Sequence, residues 1–276
     1  MSGSPLAGLF APAGAADEIS LTAHHGEFVA ALEREVRGRG HRLVLLGVAS
    51  PADIAAQAEG LAGVVLLGFR DDELAGLPDL GTRAVAIDAY ARHPSLAVIR
   101  TDDAEGGRRA AEVLLSRGHR DVLVVGPSDE TSGVMRERHE GFRSVFVAAG
   151  AGAPARHMTA GTTVREGVML GRALRARHPS ITAVFAAADT LAVGVMEGLA
   201  LAGARVPADV SVLGFDDLAL ASVVTPKLST VAQDIPRKAR LAAEALLDPR
   251  LAPSVAGPLT VDVVVIERAS IGRAAR

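Results

Sequence analysis

The sequence predicts an α/β protein built from two doubly wound, parallel-sheet (Rossmann-like) subdomains. Short apolar runs alternate with longer amphipathic runs along the chain, and this alternation is typical of βα units. The short runs are continuous in Val, Leu and Ile, as expected of parallel strands that are buried on both faces. Because a sheet usually holds roughly four to six strands, about ten such runs predict two sheets rather than one.

The predicted strands form two series of about five, one in each half of the chain. Each run is short enough for a strand. The predicted strands are Leu6–Ala11, Arg42–Val48, Gly63–Gly68, Arg83–Asp88, Leu96–Thr101, Asp121–Pro127, Ala183–Ala188, Val210–Phe215, Leu228–Ala232 and Leu259–Glu267.

The predicted helices lie between these strands, with glycine and proline marking their ends. Gly40 and Gly118 follow helices at the position where a left-handed residue ends a helix, and Pro236 suits the first turn of the last helix. Turns are expected at residues 249–253 and at Gly257-Pro258. The predicted helices are His24–Arg39, Ala104–Arg117, Val134–Ala149, Arg165–Arg177, Leu191–Ala202 and Pro236–Leu247.

The composition is that of a globular protein in a reducing compartment. The 276 residues include no cysteine, which rules out disulfides and thiolate metal sites. The formal net charge of −3 gives no electrostatic reason to bind nucleic acid. No segment approaches the roughly 18 apolar residues of a membrane span, and the first residues lack the basic region of a signal peptide. We therefore expect a cytoplasmic protein that does not contact membranes.

The motifs of several common enzyme classes are missing. Neither a phosphate-binding Gly-x-x-x-x-Gly-Lys-Ser/Thr loop nor a Gly-x-Gly-x-x-Gly turn after a strand occurs. A Gly-x-Ser-x-Gly nucleophile elbow is also lacking, and the eight histidines show no His-Glu-x-x-His pattern. The sequence therefore predicts no catalytic residues, no metal site and no cofactor.

Acidic residues instead follow several of the predicted strands. Asp88, Asp189 and Asp216 each end one strand, and Asp102-Asp103 end another. Ligands of open α/β sheets bind outside the carboxyl ends of the strands, so these carboxylates are candidates for holding a polar ligand. For Asp103 and Asp189, a helix N-cap is the favoured interpretation.

An arginine near the start of a predicted helix could complement these acids. Arg138 could be a solvated helical residue, as we expect for Arg136. Alternatively, its guanidinium could face a cleft and bind ligand hydroxyls or a carboxylate.

Several motifs in fixed order resemble those of the LacI/GalR family of bacterial transcription regulators. The resemblance extends over nearly the whole chain and is carried by the run Val210–Asp217 above all. The other matching motifs are Asp102–Glu112 followed by Leu115-Ser116-Arg117-Gly118-His119, Arg138 ahead of Gly141-Phe142, Asp189-Thr190-Leu191-Ala192-Val193-Gly194, and Arg268-Ala269-Ser270.

The resemblance implies a periplasmic-binding-protein-like core: two subdomains joined by three hinge crossings, with a ligand cleft between them. The crossings are expected near Arg120, Gln233–Ile235 and Val261–Val264. The N-terminal subdomain would then comprise residues 1–119 and 236–260, and the C-terminal subdomain residues 120–235 and 261–276. The chain begins at the first strand, so it carries no helix-turn-helix DNA-binding domain.

The resemblance also assigns the ligand contacts. Arg138 and Asp216 would be the main polar contacts, and the strand end at Asp189 would contribute. His24 takes the place of a common aromatic residue, and no aromatic occurs near Thr162, so the effector could be linear as readily as a pyranose. The complete set of predicted ligand-binding residues is Arg138, Asp216, Asp189, His24, Asp88, Thr162, Ile235 and Phe215.

The function that the resemblance implies is the effector-sensing and dimerising core of a transcription regulator. A sugar-like or other polar metabolite would bind in the cleft, and hinge closure would alter operator binding through a headpiece absent from this chain. The helix Pro236–Leu247 and its neighbouring strands would form the homodimer surface. Two alternatives stay open: a solute-binding protein of a sugar transport system, and an α/β enzyme on a sugar or nucleotide with Asp216 as general base.

Overall fold

The computed structural model of the protein describes residues 5–14, 19, 21–128, 130, 132–248 and 257–274. Over these residues the predicted α/β class is confirmed, because two six-stranded sheets each carry helices. The turn predicted at residues 249–253 lies outside the described part of the chain.

Twelve strands are present in the described residues. They are β1 (Leu6–Pro12), β2 (Arg42–Val48), β3 (Val64–Leu67), β4 (Ala84–Ile87), β5 (Leu96–Thr101), β6 (Val122–Pro127), β7 (Ala155–Thr159), β8 (Ala183–Ala186), β9 (Ser211–Asp216), β10 (Ser229–Gln233), β11 (Leu259–Val261) and β12 (Val263–Ile266).

Nine α-helices occur in the same residues, and a short 3₁₀ turn at Pro51–Asp53 precedes the second of them. The helices are α1 (Ala23–Gly38), α2 (Ile54–Ala58), α3 (Asp71–Ala75), α4 (Asp103–Ser116), α5 (Gly133–Ala148), α6 (Val164–Arg177), α7 (Asp189–Leu201), α8 (Ala219–Val223) and α9 (Ile235–Leu247).

The chain divides into two units, each with one sheet. Unit 1 comprises Met1–Thr101, Thr131–Gly133 and Asp234–Val261, and its sheet has the order β11-β5-β4-β3-β1-β2. Unit 2 comprises Asp102–Glu130, Val134–Gln233 and Asp262–Arg276, and its sheet has the order β12-β10-β9-β8-β6-β7. All pairings are parallel except that between β10 and β12.

Unit 1 buries one core on each face of its sheet. One core joins α1 and α9 to the strands through residues such as Phe28, Leu32 and Ala242. The other centres on Phe10 and includes Ile54 of α2. The apolar face of α9 is thus buried within its own unit, so it is not the exposed dimer surface that the sequence suggested.

Unit 2 is doubly wound in the same way. Helices α6 and α7 cover one face of its sheet, and α4 and α5 cover the other, where Phe142 stacks on Phe146 and Phe185. Continuous apolar strands such as β8, all of whose residues are buried, are therefore explained by helices on both faces.

The segment that follows β12 is hydrogen-bonded to strands β9 and β10 of unit 2 and to residues next to them. Arg268 donates from Nη1 to the carbonyl oxygen of Leu228 at 2.8 Å and from Nη2 to Asp217 Oδ1 at 2.6 Å. The Ser270 hydroxyl donates to the Val212 carbonyl oxygen at 2.6 Å and accepts from the Ser229 amide at 2.8 Å. These bonds join β9 and β10 to the segment after β12.

The path of the chain differs from the sequence-based predictions at one crossing and at two strand positions, and the short helices α2, α3 and α8 were not predicted. Helix α4 packs in the core of unit 2, so the first crossing follows Thr101 instead of lying near Arg120. The predicted run Leu259–Glu267 is two strands, β11 in unit 1 and β12 in unit 2. Strand β7 was not predicted, because its sequence Ala-Arg-His-Met-Thr carries no apolar run and lies at a sheet edge.

No helix in the described residues combines the length and the apolar character needed to cross a membrane.

Candidate functional site

Strained aspartates mark the carboxyl ends of strands in both units. Within the described chain, the non-glycine residues with positive φ are Asp88 (51°), Asp216 (119°) and Asp217 (58°). Asp88 follows β4 of unit 1, and the other two lie at the end of β9 in unit 2. Such conformations cost roughly 1–3 kcal/mol each and cluster at functional sites. The backbone therefore points to these strand ends as binding positions.

In unit 2, the side chain of Arg138 lies buried on α5 and is held from three directions. Its Nε and Nη2 donate to Asp103 Oδ1 at 3.2 and 2.6 Å, and Nη1 donates to the Ala187 carbonyl oxygen at 2.5 Å. The guanidinium also stacks on Phe215, with Cζ 3.3 Å from the ring centroid. Among the described residues these bonds use three of its five N–H donors, and the remaining two are suited to a ligand.

Arg138 and Asp103 meet because α4 and α5 cross at two glycines. A Cβ on Gly107 would lie 2.8 Å from the Phe142 amide nitrogen, and a Cβ on Gly141 would lie 2.8 Å from the Ala104 carbonyl carbon. Both distances are shorter than real Cβ contacts. Glycine at both positions therefore permits the close approach that brings the first turn of α4 to Arg138.

The N-cap predicted for Asp103 is wrong. Asp102 is the capping residue of α4, and its side chain accepts from the Glu105 amide at 2.9 Å. Asp103 is the first helical residue, and its carboxylate is 1% exposed beside Arg138. Sequence reasoning missed this role because the two adjacent acids are equally good caps by residue type.

Asp189 does not cap α7, and it braces the strand ends. It is fully buried; Oδ1 accepts from the Thr230 hydroxyl at 2.6 Å and Oδ2 from the Leu218 amide at 2.8 Å. Burial, together with the nearby charge of Asp216, raises the pKa of Asp189 to about 8. Because both oxygens serve protein groups, Asp189 positions the segment around Asp216 instead of offering itself to a ligand.

Asp216 is the acid that the strand end presents in unit 2. It is 6% exposed, and its Oδ1 accepts from Gln233 Nε2 at 2.7 Å. Phe215, immediately before it, is fully buried under the Arg138 guanidinium. Gln233 was missed by the sequence reasoning, although it lies at the end of β10, beside the strand that ends at Asp216.

Thr162 belongs to a different part of unit 2. It lies ahead of α6, and its carbonyl oxygen accepts from the Thr190 hydroxyl at 2.5 Å. The side chain that caps α6 is that of Thr163, which accepts from the Glu166 amide. The network around Arg138 described above does not include Thr162.

In unit 1, the predicted residues His24 and Asp88 lie together, with a lysine that was not predicted. Lys238 Nζ donates to both Asp88 carboxylate oxygens, at 2.7 and 2.8 Å. His24 Nε2 lies 3.6 Å from Asp88 Oδ2. Ile235, the remaining predicted contact, packs into the core of unit 1 and is 5% exposed.

Burial and neighbouring charges shift the pKa values of Asp88 and of the nearby His25. Burial would raise the pKa of Asp88, but the Lys238 ammonium and His24 outweigh it and hold that pKa well below its usual range. Burial and the neighbouring His24 lower the pKa of His25 to about 4. Near neutral pH, Asp88 is therefore ionised and His25 is uncharged.

Both strand-end clusters offer hydrogen-bond donors and acceptors for a small polar molecule. In unit 2 these are the Arg138 guanidinium and the Asp216 carboxylate. No group of three or more His, Cys, Asp or Glu residues in the described parts of the chain is arranged to hold a metal ion. The chemistry present is that of binding and orientation.

The chain matches a family of known proteins and several curated relatives. The family described as periplasmic binding protein-like domain matches residues 111–271. The HTH-type transcriptional regulator CelR of Thermobifida fusca is 34% identical over 194 residues, which cover 67% of this chain and 56% of the relative. The chain thus spans about half the length of the curated relatives it matches. These relatives are transcriptional regulators and not enzymes.

Solved structures match over almost the full chain. The structure of a LacI transcriptional regulator from a Rhodococcus species is similar with a TM-score of 0.84 and 28% identity, covering 98% of this chain and all of the other. A LacI family regulator from Enterococcus faecium with bound ribose has a TM-score of 0.81 over the same fractions, and its 24% identity supports the fold alone.

Proposed function

The chain belongs to the family of periplasmic binding protein-like domains, and from this premise we propose that it is the effector-binding core of a LacI-type transcription regulator. Its effector is a sugar or a similar small polar metabolite. Arg138 and Asp216 of unit 2 supply the main polar contacts. The strand end at Asp88, beside His24 in unit 1, is a separate candidate position for polar contacts.

The observation that carries this proposal is the set of contacts by which unit 2 fixes the Arg138 guanidinium. The guanidinium is held by Asp103, Ala187 and Phe215, and these bonds to described residues use three of its five N–H donors. Pre-organised groups of this kind lower the entropy cost of binding. In the same unit, strand β9 ends at Asp216, an acidic residue whose backbone φ is positive. A donor pair and an acceptor of this kind suit a polyhydroxylated molecule.

The finer part of the proposal concerns transmission of the signal. Effector binding shifts the balance between two conformations of the core by as much as its affinity differs between them. Motion about hinges is a common form of such a change. The whole regulator acts in the cytoplasm as a homodimer, and a DNA-binding headpiece outside this chain carries the change to paired operator half-sites. No cofactor takes part.

A thermal-shift panel tests the proposal directly. D-ribose, D-glucose, D-galactose and cellobiose are each added to the protein, and a bound sugar raises the melting temperature by mass action. We expect at least one of them to do so. If neither these sugars nor a wider set of polyols and nucleosides stabilises the wild type, the proposed function is wrong.

Two conservative variants test the assigned contacts. Removal of Arg138 would take the guanidinium away from the buried Asp103 and endanger the fold, so Arg138→Lys is chosen to keep a charge beside Asp103 while deleting the planar fork. Asp216→Asn removes one carboxylate. Each is expected to cost about 1.5–3 kcal/mol of binding, the value of a hydrogen bond to a charged group, or roughly 10- to 150-fold in Kd.

The matched control is Arg136→Lys. Arg136 lies two residues earlier on the same helix, is exposed, and has its Nε 3.5 Å from a Glu137 carboxylate oxygen. We expect this variant to bind the active sugar as the wild type does. Wild-type affinity in both Arg138→Lys and Asp216→Asn would show that the effector binds elsewhere.

A further inference from the structure

The buried face of α9 contains one charged residue. Its other buried residues are Ile235, Ala239, Ala242, Ala243 and Leu246, whereas Lys238 is 0% exposed in their midst. Burial of a charged amine is costly unless the group is paired. A lysine at such a position therefore calls for an explanation beyond packing.

The ammonium of Lys238 is directed at the strand end of unit 1. It donates to both oxygens of Asp88, whose Oδ1 also accepts from the Thr101 amide at 3.1 Å. The Asp88 side chain is 16% exposed and that of His24 is 10% exposed, while Lys238 is fully covered. Solvent, or a ligand, can therefore reach part of the Asp88 side chain, behind which the lysine lies, whereas both ring nitrogens of His24 are buried.

Stability of the fold does not by itself explain this ion pair. A buried ion pair replaced by apolar residues of similar volume is often neutral or stabilising, and the rest of this α9 face is already apolar. Asp88 also adopts a positive φ of 51°, a conformation associated with functional positions. Two unfavourable features at one position indicate a role in recognition.

On the basis of the proposed function, we propose that Lys238 is a positioning residue that fixes and neutralises the Asp88 carboxylate for recognition of an uncharged, hydroxyl-bearing effector. The bidentate contact holds the plane of the carboxylate, so that its exposed edge can accept from ligand hydroxyls in one orientation. The pair carries no net charge. A lone carboxylate at the same place would instead attract a cationic amine.

A double-mutant cycle separates this role from a structural one. The variants are Lys238→Met, Asp88→Asn and the double variant, and asparagine is chosen because it tolerates the positive φ of Asp88. The control is Lys227→Met, since Lys227 is exposed and is the only other lysine of the chain. Melting temperature is measured without ligand, and Kd is measured by calorimetry with D-ribose, D-glucose, D-galactose and cellobiose.

Each single substitution leaves a charge without its counter-ion and should lower the melting temperature, and the double variant should recover most of that loss. Sugar affinity should nevertheless fall at least tenfold in Lys238→Met and in the double variant, while Lys227→Met binds as the wild type does. In Lys238→Met, D-glucosamine should gain affinity relative to D-glucose, because a lone carboxylate then faces it.

Two results would overturn the inference while leaving the proposed function intact. One is wild-type sugar affinity in the double variant. The other is a double variant that stays as unstable as Lys238→Met, since the pair would then serve the fold. If no sugar of the set binds even the wild type, the inference falls together with the proposed function that it deepens.

Discussion

The crossing of α4 and α5 gives a prediction whose sign can be worked out from the structure. The perturbation is Gly141→Ala. Alanine is a better helix former than glycine by about 1 kcal/mol, so the substitution would stabilise an isolated helix. Here a Cβ would lie 2.8 Å from the Ala104 carbonyl carbon and nearer still to its oxygen.

The magnitude follows from how far the two helices must move. Tolerable Cβ contacts begin near 3.4 Å, so the Ala104 carbonyl carbon alone would require α4 and α5 to separate by about 0.6 Å, the difference between 3.4 and 2.8 Å, and the nearer carbonyl oxygen requires more. Overpacking of this kind costs about 1–3 kcal/mol. The cost should lie at the upper end of this range, because the clashing atoms belong to the backbone and cannot rotate away as a side chain can. After the gain in helix propensity, we expect a net loss of about 2 kcal/mol.

The assay is thermal unfolding followed by circular dichroism. At roughly 2–4 °C per kcal/mol for a domain of this size, the melting temperature should fall by about 4–8 °C. The affinity for any sugar that binds the wild type should fall too, because separation of the helices moves Asp103 away from Arg138.

The control is a glycine with free space around it. A Cβ on Gly26, in the first turns of α1, meets no heavy atom within 4 Å. Gly26→Ala should therefore keep or raise the melting temperature, by the helix-propensity gain of up to about 1 kcal/mol. A Gly141→Ala variant that melts at or above the wild type would refute the assigned role of the crossing.

Two further predictions concern pH. The pKa of Asp189 is raised to about 8 from 3.8, so the folded state holds a proton that the unfolded chain releases, and unfolding free energy falls as pH rises between these values, by at most about 1.4 kcal/mol per unit. Asp189→Asn, whose amide can still bond Thr230, should flatten this fall in melts at pH 5 and pH 8; parallel curves would contradict the assignment. The pKa of His25 is lowered to about 4 from 6.5, so stability is lost as pH falls from 6.5 toward 4. His25→Gln keeps the capping box with Thr22 and should lose less stability than the wild type between pH 7 and pH 4.5 in urea unfolding; equal losses would contradict it.

The fold was predictable because the pattern of hydrophobic residues marks most of its strands and long helices. Continuous apolar runs such as Val64–Leu67 and Ala183–Ala186 are short enough for strands and are buried along their whole length. Strand β7 was missed because an exposed edge strand needs no such run. The first crossing between the units was predicted too late in the chain. The hydrophobic pattern of a helix shows that α4 exists but does not show which sheet it packs against.

The candidate site was predictable only where the residue type itself carries the information. The motifs led to the prediction of Arg138 and Asp216, which stays a prediction, and the relatives confirm the LacI-type resemblance from which it was drawn. The roles of Asp103, Asp189 and Lys238 depend on burial, which their polarity conceals. A lysine in an amphipathic helix is expected on the solvated face, and only the fold reveals its position behind Asp88.

The bonds made by Arg268 and Ser270 join strands of unit 2 to a segment that comes much later in the chain. Asp217 is 51 residues from its partner Arg268, and Ser229 is 41 residues from its partner Ser270. Since domains tend to fold as synthesis proceeds, strands β9 and β10 can pair while Asp217 still lacks its partner and the amide of Ser229 its acceptor. The strand end at Asp216 and Asp217 can therefore reach its final arrangement only after the segment 268–270 has been synthesised.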